Sequence, residues 1–104
     1  MRKRVVITGL GVVSPVGLSV NDFWDGLTSG KNGVGNITYF DTTNFKTKFA
    51  AQLPSDFNPL NYLDRKLSQS VDPFTRYALI ASAEAVKDSG LDKDMAKLDA
   101  HRCG

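Results

Sequence analysis

The chain has one cysteine and one histidine in 104 residues, and each scarcity closes a class of function. A single cysteine cannot form an internal disulfide, and one histidine beside it makes no Cys/His cluster at zinc-ligand spacing. That usage fits a reducing compartment, the cytosol. Long apolar runs are missing as well: no stretch approaches the ~20 uninterrupted apolar residues that a membrane helix needs. Excess charge of one sign is also missing. Thirteen basic against eleven acidic residues leave a net charge of +2, spread too evenly to form a surface for nucleic acid or an anionic membrane. Arg2, Lys3 and Arg4 precede an apolar run in the manner of a secretion signal. Thr8, Gly9 and Gly11 interrupt that run, and no small-x-small cleavage site precedes Asn21, so no signal peptide is expected.

What is present is ordinary globular composition, 41% apolar and 23% charged, enough for one small domain and no more. The organising stretch is residues 4–17, RVVITGLGVVSPVG. Residues 4–8 are basic then β-branched and apolar, without helical spacing, which predicts a strand buried on both faces. Gly9 and Gly11 end it, allowing positive φ and close backbone approach, and Pro15 and Gly17 carry a further turn.

Ser19 is the expected N-cap of a helix over residues 20–29, with Asp22 three positions on in the manner of a capping box. Val20, Phe23, Trp24 and Leu27 share one face, and Gly30 supplies the stop. Residues 31–44 predict a surface connection with a short extended piece at 37–40, and residues 48–53 (KFAAQL, bounded by Pro54) a second strand. Two short strands make a thin sheet whose edges need partners. Asn58-Pro59 and Asp72-Pro73 each place a cap residue before a proline at the first helical position. They open a short helix over 59–68, with Arg65 and Lys66 on its exposed side, and a long one over 73–89 that ends at Gly90. In the long helix Phe74, Ala78, Ala81 and Ala85 form a stripe of mostly small side chains. Tyr77, Leu79, Ile80, Ala83 and Val86 spread apolar surface round the remainder, the pattern of a buried helix. The tail predicts a helical turn near 95–98 and, at His101-Arg102-Cys103-Gly104, the start of another strand.

Four constellations invite a functional reading. Strand-then-GLG is how dinucleotide sites begin, but Ser14 stands where the fingerprint needs a third glycine or alanine. Pro15 and Gly17 delay the helix, and Asp41 lies in a loop rather than at the end of a second strand. His101 and Cys103, at i and i+2, would share one face of a strand as base and nucleophile. The simpler reading of Cys103 is a small buried hydrophobe. Asp92, Asp94 and Asp99 are scattered, and Asp22 and Asp25 flank the first helix; dipole and solvation roles account for them without a metal. Arg65 and Lys66 read either as a solvated helix face or as a docking point for an acidic partner. Trp24 reads as a core residue.

RVVITGLGVVSPVG, FWDGLTSGKNGVGNITYFDTTNF, KFAAQL and DRKLSQSVDPFTRYALIASAEAVKDSGL through KLDAHRCG together resemble, in order and across the whole chain, the N-terminal end of the β-ketoacyl-acyl-carrier-protein synthases, the elongating condensing enzymes of type II fatty-acid synthesis. The resemblance implies an α/β fold, the N-terminal part of a thiolase-like layered α/β/α/β/α arrangement, with residues 1–104 an incomplete portion of the synthase N-terminal domain. It implies a cytoplasmic homodimer, or a plastid or mitochondrial one where a transit peptide precedes the chain, with acyl- and malonyl-loaded acyl carrier protein as partner and no cofactor or metal. In the family a cysteine at a helix N-terminus takes the acyl chain, two histidines assist malonyl decarboxylation, and backbone amides hold the oxyanion. No catalytic residue carries over, because His101 and Cys103 match none of these. Arg65 and Lys66 do fall in the basic helix region that meets the carrier protein. A second basic pair common just after them is replaced by Gln69 and Ser70.

Two readings are therefore set against each other: part of a condensing enzyme that is inactive alone, and a small Rossmann-like nucleotide-binding or interaction domain. The first also predicts that the isolated chain folds poorly or aggregates through its uncovered sheet edge and apolar helix.

Overall fold

The computed structural model describes residues 1–103. Four α-helices, α1 (Val20–Thr28), α2 (Arg65–Ser70), α3 (Pro73–Ser89) and α4 (Leu91–Asp94), and two strands, β1 (Val34–Asn36) and β2 (Phe49–Ala51), are joined by short 3₁₀ turns at Pro59–Asn61, Met95–Lys97 and Ala100–Arg102. The strands pair antiparallel with Gly35 opposite Ala50, and the Ile37 amide extends the pairing to the Lys48 carbonyl at 2.9 Å.

The helices follow their local signals. Ser19 caps α1, its hydroxyl accepting the Asp22 amide at 3.2 Å. At the other end Gly30 is left-handed at φ 74°, so that the Lys31 amide reaches the Gly26 carbonyl at 2.8 Å and the Gly30 amide the Leu27 carbonyl at 3.2 Å. This paired closure satisfies carbonyls that a helix end otherwise leaves orphaned. α3 spans the expected residues, with Pro73 in its first turn and Gly90 as its left-handed stop; Asp72 makes no side-chain cap bond. Asn58 does cap its turn, accepting the Leu60 amide at 3.0 Å. The single helix expected over 59–68 is instead two pieces, a 3₁₀ turn and then α2, which Asp64 caps by accepting the Leu67 amide at 2.9 Å.

The β structure departs from expectation at three places. Residues 4–8 form no strand, because no other backbone lies beside them to complete a ladder. Val5 is 91% exposed and Ile7 80%. The extended piece placed at 37–40 lies earlier, at β1, whose Val-Gly-Asn sequence carries little strand propensity and is held by β2. At the tail, Asp99 accepts the His101 amide at 3.0 Å and turns the chain into a 3₁₀ turn where a strand was expected.

The chain is extended in shape. Its radius of gyration is 17.5 Å, where a compact chain of this length has about 13 Å. Its accessible surface is 8787 Å², against about 5,700 Å² for a folded monomer of this mass. Ile80 is the one buried apolar side chain among the described residues. α3 carries the apolar surface its sequence predicts, yet Phe74 is 73% exposed. Trp24, expected in a core, is exposed as well.

Candidate functional site

Residues 9–20 cross α3 at its stripe of small side chains. Gly9 and Gly11 lie directly on the stripe of small side chains: a Cβ on Gly11 would fall 1.8 Å from the Ala81 carbonyl oxygen, and one on Gly9 2.2 Å from that of Ala85. The close approach anticipated for these glycines is present. The positive φ is not, since Gly30 and Gly90 are the two positive-φ residues described. Two acidic side chains of α3 then take up the amides of the crossing segment. Asp88 Oδ2 accepts the Leu10 N–H at 3.0 Å, and Glu84 accepts Val12 N–H on Oε2 at 2.9 Å and Val20 N–H on Oε1 at 2.8 Å. Val20 begins α1, so Glu84 places a carboxylate where the positive end of the helix dipole favours it. Glu84 and Asp88 are missed when the sequence is read alone. Their signal there is faint: two acidic residues four apart on a helix otherwise apolar nearly all round.

This arrangement weighs against a nucleotide site. The amides of Leu10 and Val12 that could face a phosphate are already bonded to carboxylates. The turn that follows is closed on itself, with Ser14 N–H donating to the Gly17 carbonyl at 3.0 Å and Gly17 N–H to the Ser14 hydroxyl at 3.1 Å. The open cleft beside it, about 510 Å³, is bordered by Asp22, Asp25 and Asp56 with Lys31 as its single cation, the wrong sign for a polyphosphate.

The pair His101 and Cys103 is not assembled into a catalytic dyad. His101 lies within the terminal 3₁₀ turn and Cys103 caps it, its thiol donating to the Asp99 carbonyl at 3.4 Å. Cys103 is exposed rather than buried, because the strand that was to bury it is absent from the described residues. Gly104 lies outside them. No group of three or more His, Cys, Asp or Glu among the described residues could hold a metal. No described helix is long and apolar enough to cross a membrane.

Arg65 and Lys66 occupy the first two positions of α2, and both are exposed. The one ion pair among the described residues, Lys97 with Asp94 at 3.1 Å, leaves both without a carboxylate partner. The second turn of α2 is neutral, Gln69 and Ser70. At its end the helix is tied to α3 through Arg76, whose Nε–H donates to the Ser68 carbonyl at 2.6 Å.

This arrangement, a glycine-bearing segment laid over a small-residue helix and followed by a capped helix, sits within a fold shared with the thiolase-like, ketosynthase class of α/β proteins. The chain belongs to the family described as "Beta-ketoacyl synthase, N-terminal domain", which matches residues 2–104. Among its relatives, the 3-oxoacyl-[acyl-carrier-protein] synthase 2 of Coxiella burnetii is 47% identical over 91 residues, 88% of this chain and 22% of that protein. The synthase of the same name from Synechocystis is 41% identical over 90 residues, 86% of this chain and 21% of that one. A solved structure, the ishigamide ketosynthase/chain length factor, superposes with a TM-score of 0.80 at 37% identity, covering 90% of this chain and 23% of that one. The chain thus spans about a fifth of the length of the curated relatives it matches.

Proposed function

We propose that this chain is the opening portion of a 3-oxoacyl-[acyl-carrier-protein] synthase, which condenses an acyl thioester with a malonyl thioester in fatty-acid elongation. In that reaction a cysteine takes the acyl group, and the carbon–carbon bond forms as the malonyl unit loses carbon dioxide. None of the residues described here takes those roles, so the chain alone is inactive. Its part is structural and recognitional. The observation that carries the reading is the agreement of the family over residues 2–104, of relatives over as many as 91 residues and of the fold over 90% of the chain.

Within it, Arg65 and Lys66 form a docking point for the acidic acyl carrier protein, supported by their exposure and lack of a carboxylate partner. Opposite charges across such a surface steer association and weaken with salt. The intact enzyme is a cytoplasmic homodimer in this reading. The unpaired Cys103 supports a reducing compartment, and the exposed apolar face of α3 supports burial against further layers. Replacing Arg65 and Lys66 together by alanine in the full-length protein is expected to weaken carrier-protein binding by about tenfold at low salt and to flatten its salt dependence. Binding and salt dependence equal to those of the parent would overturn the docking assignment.

A further inference from the structure

α2 is six residues long. An isolated helix of under about 12 residues is marginal in water, because nucleation costs more than so few bonds return. α2 is held by the packing of its buried side at Ser68 and by bonds at its two ends. Asp64 secures the first end, as described. The second end has no left-handed closure: Val71 is extended at φ −126°, ψ 154°, so the last carbonyls meet no amides of a following turn. Two side chains supply donors instead. Ser70 Oγ donates to the Leu67 carbonyl at 2.9 Å, and Arg76 Nε–H to that of Ser68 at 2.6 Å.

The second bond differs in kind from the first. It is charge-assisted, it sets a cation at the helix C-terminus where the dipole favours one, and its donor belongs to another helix. It also serves a residue shut off from water, since Ser68 is 4% exposed, where an unmet carbonyl is costly.

We infer that Arg76 is a positioning residue for carrier docking: its bond to the Ser68 carbonyl fixes α2 against α3 and so sets where Arg65 and Lys66 are presented to an acidic partner. This rests on the docking assignment above. Arg76 acts through α2 and does not itself touch the carrier.

The test uses Arg76→Met, which keeps the aliphatic stem and removes the donor, and Arg76→Lys, whose ammonium still reaches a carbonyl. Both are compared with the Arg65/Lys66 double-alanine variant in the full-length protein. Hydrogen exchange of amides 67–70 is expected to quicken about tenfold in Arg76→Met and to return most of the way in Arg76→Lys. Affinity for acyl carrier protein in Arg76→Met falls by a similar factor at every salt concentration, with the salt slope unchanged, because order is lost rather than an interacting charge. Unchanged exchange in α2 overturns the inference. So does a slope flattened as in the double-alanine variant, which makes Arg76 a direct contact. If the double-alanine variant binds the carrier normally while Arg76→Met still loosens α2, the docking assignment fails and the tie between the helices stands without it.

Discussion

Residues 4–8 and residues 9–20 are two halves of one continuous stretch, and the first is the more apolar and strand-like of the two. It is nevertheless the second, with its glycines, serines and proline, that is anchored. Gly9 and Gly11 meet the backbone of α3, and Leu10, Val12 and Val20 hand their amides to Asp88 and Glu84. Val5, Val6 and Ile7 stand in water. Apolar β-branched sequence states that a segment wants covering but supplies no partner. Glycines opposite alanines, and carboxylates opposite free amides, specify the partner as well, and here that partner lies within the chain.

The comparison can be broken most severely at Gly11. Gly11→Ala drives a methyl into the Ala81 carbonyl, and the segment cannot shift without giving up the Glu84 and Asp88 bonds. A loss of about 3 kcal/mol in the docking of residues 9–20 is expected, read as loss of exchange protection at the Val12 and Val20 amides. Glu84→Ala comes next. It leaves two part-buried amides without acceptors and is expected to cost about 2 kcal/mol, measured by urea unfolding and by the same two amides. Ile7→Ser sharpens the contrast from the other side: in this chain it changes stability by no more than about 0.5 kcal/mol, since Ile7 is 80% exposed.

The smallest effect lies in the loop between the strands. The Thr43 hydroxyl, and after it the Thr43 amide at 3.0 Å, bond to Asp41 and hold its carboxyl below the ordinary 3.8. A depressed carboxylate contributes its stabilisation in full above 3.8 and loses it as the pH falls through the lower folded value. Thr43→Val should bring the Asp41 titration, followed by NMR, back toward 3.8.

What was legible in the sequence follows the range of the physics involved. The Ser19 cap, the span of α3 and the Gly30 and Gly90 stops are decided by residues within one turn of each other, and each is found where the pattern put it. The β structure depends on pairing across distance. β1 lies at Val34–Asn36 rather than at 37–40 because those residues become a strand only through β2, and residues 4–8 form none because nothing described pairs with them. The Glu84 and Asp88 contacts span 64 to 78 residues, and no local spacing rule reports such reach. Arg65 and Lys66 were legible as an exposed basic turn. Arg76, which steadies that turn, reads in sequence only as one more helical cation.

Because the two oxygens of Glu84 grip Val12 and Val20 at once, the loop between them is a hoop whose diameter is set from outside. Apart from Ser14, Gly17 and Ser19, whose bonds and close backbone approach shape the turn, its composition is freer to drift than its length. One inserted or deleted position would force the carboxylate to let go of one end, so evolution along this stretch should tolerate exchange at Val13, Val16 and Leu18 before it tolerates change of length.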